Sequence, residues 1–82
     1  MLGRKNAHER VATFLKEWLL HSSNGATVML AMTRQDIADY LGLTMETVSR
    51  TLSQMERDGV IEIVTPREIS VKDRAAFKRL LC

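Results

Sequence analysis

Cysteine is nearly missing from this chain. Of 82 residues only Cys82 is one, and it stands last. No disulfide can close within the chain, so a cytoplasmic setting is the expectation. Long apolar runs are also missing. The longest, Ala26 to Met32, falls far short of the ~20 residues that span a bilayer, so no membrane partner is expected. Arg4 and Lys5 stand near the start, but no apolar run follows them to make a signal peptide. Neither sign of charge dominates: 12 Lys and Arg against 10 Asp and Glu leave +2. That excess does not by itself argue for nucleic acid. The residues of catalysis are scattered. His8, His21 and Cys82 have no metal-ligand spacing, and there is no glycine-rich phosphate loop or readable Ser–His–acid set. The expectation is a domain that is not an enzyme and holds no cofactor.

What is present reads as one small soluble domain over residues 1–82. Apolar residues make up 45% and charged residues 27%, which excludes disorder by composition. Val11, Phe14, Leu15, Trp18 and Leu19 fall on one face of a helix of about three turns. Ser22-Ser23-Asn24-Gly25 breaks it, and Ala26 to Met32 reads as a strand. Thr33 with Asp36 three residues on is a capping signature, so a helix starts there and runs Arg34 to Leu41. It should bury Ile37, Ala38 and Leu41, with Tyr40 partly buried and its hydroxyl outward. Gly42 stops it. Thr44 caps a longer helix that ends near Arg57, before Asp58-Gly59. Val60 to Val64 and Glu68 to Val71 are rich in β-branched residues and flank Thr65-Pro66-Arg67, which predicts a hairpin. Asp73 caps a last helix with Ala76, Phe77, Leu80 and Leu81 on its apolar face. Phe14, Trp18 and Phe77 sit at core spacing and read as packing residues.

The segment from Arg34 to Arg57 has the layout of a helix-turn-helix. Small Ala38, four residues before Gly42, lets the second helix cross the first closely, and Gly42 lets the chain turn. The hairpin over about 60–71 makes it the winged version. The fold expected is therefore α+β: three to four helices with a small antiparallel sheet and a C-terminal wing. At 100° per residue Val48, Leu52 and Met55 share one side of the second helix, with Thr51 beside them. Glu46, Ser49, Arg50 and Ser53 share the opposite side. Arg fits guanine O6 and N7, Glu accepts from the cytosine amine, and Ser bonds either edge or meets a thymine methyl. Glu46 and Arg50 are four apart and can pair before any ligand arrives. A polar face with such a pair is also what plain solvated surface looks like. The preceding turn and following hairpin favour a nucleic-acid reader. A protein-docking winged helix is the alternative, and it would need an apolar patch on this outward face.

The run Met32-Thr33-Arg34-Gln35-Asp36-Ile37-Ala38-Asp39-Tyr40-Leu41-Gly42-Leu43-Thr44-Met45-Glu46-Thr47-Val48-Ser49-Arg50 resembles the C-terminal winged-helix domain of Crp/Fnr-family bacterial transcription regulators. The likeness extends over nearly the whole chain and is greatest to the Fnr and FixK branch, which has Glu-x-x-Ser-Arg on the recognition helix. The cyclic-AMP-responsive branch has Arg where this chain has Met45 and Gly where it has Ser49. The resemblance implies a palindromic double-stranded operator with TTGAT-like half-sites. In such a site Arg50 would read guanine, Glu46 the cytosine side, and Ser49 would face thymine. It implies phosphate contacts by Thr33, Arg34, Gln35, Thr44, Ser53 and Arg67. Capping alone also accounts for Thr33, and simple exposure for Arg67. A homodimer in the full-length protein, and a surface over Ser22 to Thr27 that can meet RNA polymerase, are implied as well. The family's β-roll sensor and dimerisation helix precede this domain, and neither is expected within these 82 residues.

Overall fold

The computed structural model describes residues 6–19 and 27–81. Among these the order is α1 (Ala7–Leu19), β1 (Thr27–Met29), α2 (Arg34–Leu41), α3 (Met45–Arg57), β2 (Ile61–Thr65), β3 (Glu68–Val71) and α4 (Arg74–Leu80). The strands form one antiparallel sheet in the order β1-β3-β2. This is the winged helix that the sequence predicts. The break at Ser22 to Gly25, His21 and Cys82 lie outside the described residues, as does most of the segment implied to face polymerase.

Each helix from α2 onward begins where a side chain takes an orphan amide. Asp36 N donates to Thr33 Oγ1 at 3.1 Å, and Thr33 N donates back to Asp36 Oδ2 at 3.4 Å, a reciprocal capping box. Thr47 N donates to Thr44 Oγ1 at 3.1 Å, and Ala76 N to Asp73 Oδ1 at 3.0 Å. Helices α2 and α3 end alike. Gly42 is left-handed at φ 74°, and Leu43 N reaches back to Ala38 O at 2.8 Å. Gly59 is left-handed at φ 78°, and Val60 N reaches Met55 O at 3.0 Å. Both are Schellman closures, which return two otherwise open carbonyls to partners. A Cβ at position 42 would meet nothing nearer than Arg10 Nη1 at 3.8 Å, so space permits alanine there. The left-handed backbone does not. Gly42→Ala is expected to lower stability by about 1–2 kcal/mol, read from the urea midpoint at an unchanged slope.

One core holds these elements together. Val11, Ala12, Phe14 and Leu15 of α1 meet Ile37 and Ala38 of α2, with Val48, Leu52 and Met55 of α3. Val28, Ile61 and Ile69 come from the sheet and Phe77 from α4. Trp18, Leu19 and Leu41 are half-buried at its margin. Ala38 is completely covered, as a close crossing of α2 and α3 requires. Arg10 adds a polar tie, donating from Nη1 to Leu41 O at the end of α2 (3.2 Å).

Three expectations need correction. Leu41 is half-buried, not buried with Ile37 and Ala38. Of the strand read over Ala26 to Met32, Ala26 lies outside the described residues, and Thr27 to Met29 pair while Leu30 to Met32 do not. Its partner β3 begins at Glu68, opposite Met29, so the ladder stops there. Leu30 N then donates to Arg67 O at 2.7 Å, and the chain leaves toward the Thr33 cap. Tyr40 is not partly buried but 66% exposed. At 100° per residue it points about 100° from the mean direction of Ile37, Ala38 and Leu41. Its ring leans on Phe14 instead, centroids 5.8 Å apart.

Candidate nucleic-acid interface

Helix α3 is divided along its length. Val48, Thr51, Leu52 and Met55 are buried, while Glu46, Ser49, Arg50 and Ser53 are all exposed. A buried aliphatic seam fixes the rotation of the helix, so the polar set faces away from the body of the domain. Arg50 Nη2 lies 3.3 Å from Glu46 Oε2, with side chains 69% and 81% exposed. A pair this open contributes little to stability. Its effect is geometric: two long side chains are held side by side on the outward face, one turn apart. The pairing anticipated from the four-residue spacing is present.

The ends of the two helices carry the remaining candidates. Thr44 Oγ1 takes the Thr47 amide and donates its own proton to Thr47 Oγ1 at 2.8 Å. Thr33 is occupied by its capping box. Gln35 is exposed, and its amide donates to Asp39 Oδ1 at 2.9 Å along the helix. Arg34 is half-buried, and desolvation lowers its guanidinium from the ordinary value. An arginine starts so high that it stays charged at any physiological pH. The tight loop at the wing tip brings Pro66 and Arg67 toward this same helix end. Met32, Thr33, Arg34, Pro66 and Arg67 line one cleft of about 210 Å³. Two cationic side chains from distant parts of the sequence thus flank the N-terminal end of α2, whose open amides favour an anion.

The structure adds a residue that the sequence pattern used only to separate branches. Met45, the first residue of α3, is 50% exposed. It lies four before Ser49, so helical spacing alone puts it on the outward face. Its thioether supplies the only large apolar side chain among the exposed residues of the first turn. Among the described residues no group of three or more His, Cys, Asp or Glu side chains is gathered to hold a metal ion, and no helix is long and apolar enough to cross a membrane.

Comparison with known families matches residues 9–80 to the Crp-like helix-turn-helix domain. The chain belongs to that family. Curated relatives of this Crp-like domain include the nitrogen fixation regulation protein FixK of Azorhizobium caulinodans, 48% identical over 85 residues. That alignment covers 98% of this chain and 34% of the relative. The transcriptional activator protein FnrL of Cereibacter sphaeroides is 46% identical over 89 residues, covering 99% of this chain and 35% of that one. The chain therefore spans about a third of the length of these relatives. Among solved structures, FixK2 from Bradyrhizobium japonicum superposes with a TM-score of 0.88 at 46% identity, over 99% of this chain and 41% of that chain. A CooA mutant from Carboxydothermus hydrogenoformans superposes at 0.85 and 29% identity, over 99% and 39%. The Fnr and FixK likeness read from Glu46, Ser49 and Arg50 agrees with these relatives. A Crp-like helix-turn-helix whose second helix keeps a polar face open is an arrangement consistent with DNA binding.

Proposed function

We propose that this domain binds double-stranded DNA sequence-specifically, with α3 in the major groove of a TTGAT-like half-site. Arg50 donates to guanine O6 and N7, Glu46 accepts from the cytosine amine, and Ser49 lies against thymine. Thr33, Arg34, Gln35, Thr44, Ser53 and Arg67 meet phosphates and set the register of the helix in the groove. The observation that supports this reading best is the exposed Glu46–Arg50 pair beside Ser49, on a helix whose opposite side is sealed into the core. These groups lie in the first two turns, the part that reaches deepest in helix-turn-helix docking.

One domain on one half-site binds more weakly than a dimer on a palindrome, yet more tightly than its own non-specific background of ~10⁻⁴–10⁻⁶ M at physiological salt. Two copies about 34 Å apart on a palindrome combine their affinities. A homodimer of the full-length protein acting as a cytoplasmic transcription regulator is the setting in which this half-site affinity suffices.

The test is fluorescence anisotropy on a labelled duplex carrying one TTGAT half-site and on a scrambled duplex of equal length, at one fixed salt concentration. Selective binding to the first supports the reading, and equal binding to both refutes it. Arg67→Ala is expected to weaken both complexes alike. It should also reduce the slope of log K against log salt by about one, as loss of one phosphate contact does.

A further inference from the structure

We propose that Glu56 is a positioning residue, a strut between the recognition helix and the wing that holds Arg67 where it meets DNA. This inference rests on the DNA-binding reading above. Glu56 stands in the last turn of α3 and is exposed. Two considerations work against a carboxylate there. It opposes the helix dipole at a C-terminus, and it repels the phosphates of a DNA ligand. Its geometry accounts for its use. Glu56 Oε2 accepts the backbone N–H of Ile63 at 2.9 Å, across seven residues.

Ile63 is a consequential place to hold. The sheet order β1-β3-β2 leaves β2 at an edge, so alternate N–H groups of β2 point away from β3. Glu56 takes one of these. The β2–β3 register shifts between Ile63 and Thr65, an irregularity of the kind that bends a strand and re-aims the residues beyond it. Pro66 and Arg67 come directly after. At the base of the wing, Val60 O accepts from Lys72 N at 2.8 Å and Asp73 N at 3.2 Å. On the β1 side, Leu30 N holds Arg67 O. Glu56 supplies the tie on the helix side, at the residue where the bend begins. The helix that presents Glu46, Ser49 and Arg50 thereby sets the angle of the wing from its own far end. Base reading and phosphate gripping are fixed in one frame.

The experiment compares Glu56→Ala with Glu56→Gln in the full 82-residue chain. Both remove the charge, and only Gln keeps an acceptor for Ile63 N. Glu56→Ala is expected to bind about threefold to tenfold more weakly than Glu56→Gln, on the half-site and scrambled duplexes alike. Its salt slope should be smaller by about one, and preference at the guanine unchanged. In an Arg67→Ala background the difference between Ala and Gln should fall below about twofold, because the contact being positioned is gone. Hydrogen exchange at the Ile63 amide, measured without DNA, should be faster with Ala than with Gln. A selective wild type in which Ala and Gln bind alike, or differ equally with and without Arg67, overturns the inference alone. A wild type that cannot distinguish the two duplexes overturns the DNA reading as well.

Discussion

Arg50→Ala is expected to cost about 1–3 kcal/mol on the cognate half-site, roughly fivefold to 150-fold in affinity, and to flatten preference at the guanine. The fold should be indifferent to it. Arg50 is open to solvent, and among the described residues it pairs with Glu46, which is more exposed still. Exposed pairs contribute from nothing to about 1 kcal/mol, and surface changes away from caps and cores stay within about 0.5 kcal/mol. The thermal transition should therefore move little while the base profile changes. A guanidinium in bidentate contact also discriminates in a way that a point charge does not. Arg50→Lys should thus retain much of the non-specific affinity and lose preference at the guanine. Binding isotherms on duplexes varied at that one base pair read both effects. An Arg50→Ala variant with unaltered preference would remove Arg50 from the base-reading set.

Leu52→Ala is the complementary experiment, with the larger effect on stability. Leu52 is 2% exposed and packs on the core side of the same helix. Removing its side chain costs about 2–5 kcal/mol, made of lost transfer energy and the cavity left behind. At ~0.05–0.15 kcal/mol per residue the whole domain has only about 4–12 kcal/mol to lose. A drop in Tm of about 10–30 °C is expected by circular dichroism. Below the lowered transition the base preference should be that of the wild type, because Glu46, Ser49 and Arg50 are untouched. A loss under about 1 kcal/mol would mean that the inner face of α3 is not the anchored one. The two variants therefore separate the two faces of a single helix, one by base preference and one by melting.

Much of this architecture is legible in the sequence because it is local. Thr33 with Asp36, Thr44 and Asp73 mark three helix starts, and Gly42 and Gly59 mark two stops. Each acts within a few residues of itself, so spacing alone reveals it. The division of α3 into Val48, Leu52 and Met55 against Glu46, Ser49, Arg50 and Ser53 is likewise a matter of helical period. What spacing cannot reveal is pairing at a distance. The antiparallel match of β1 to β3 joins residues some forty positions apart, such as Thr27 and Ser70. The end of β1 at Met29 is set by where β3 begins, not by anything in Leu30 to Met32. The position of Tyr40 is fixed by its own helix, yet aromatic character suggests burial where rotation places it outside. The cleft that joins Arg34 to Arg67, and the bond from Ile63 to Glu56, exist only once the wing has folded back.

The most direct test of α3 as the reading element is selection from a randomised duplex pool, at fixed salt, with the chain joined to a dimerising helix. Enrichment of a palindrome with TTGAT-like half-sites is the expected outcome, with the guanine position losing its information when Arg50 is alanine. A pool that emerges without a motif, or a motif indifferent to Glu46, Ser49 and Arg50, would contradict it.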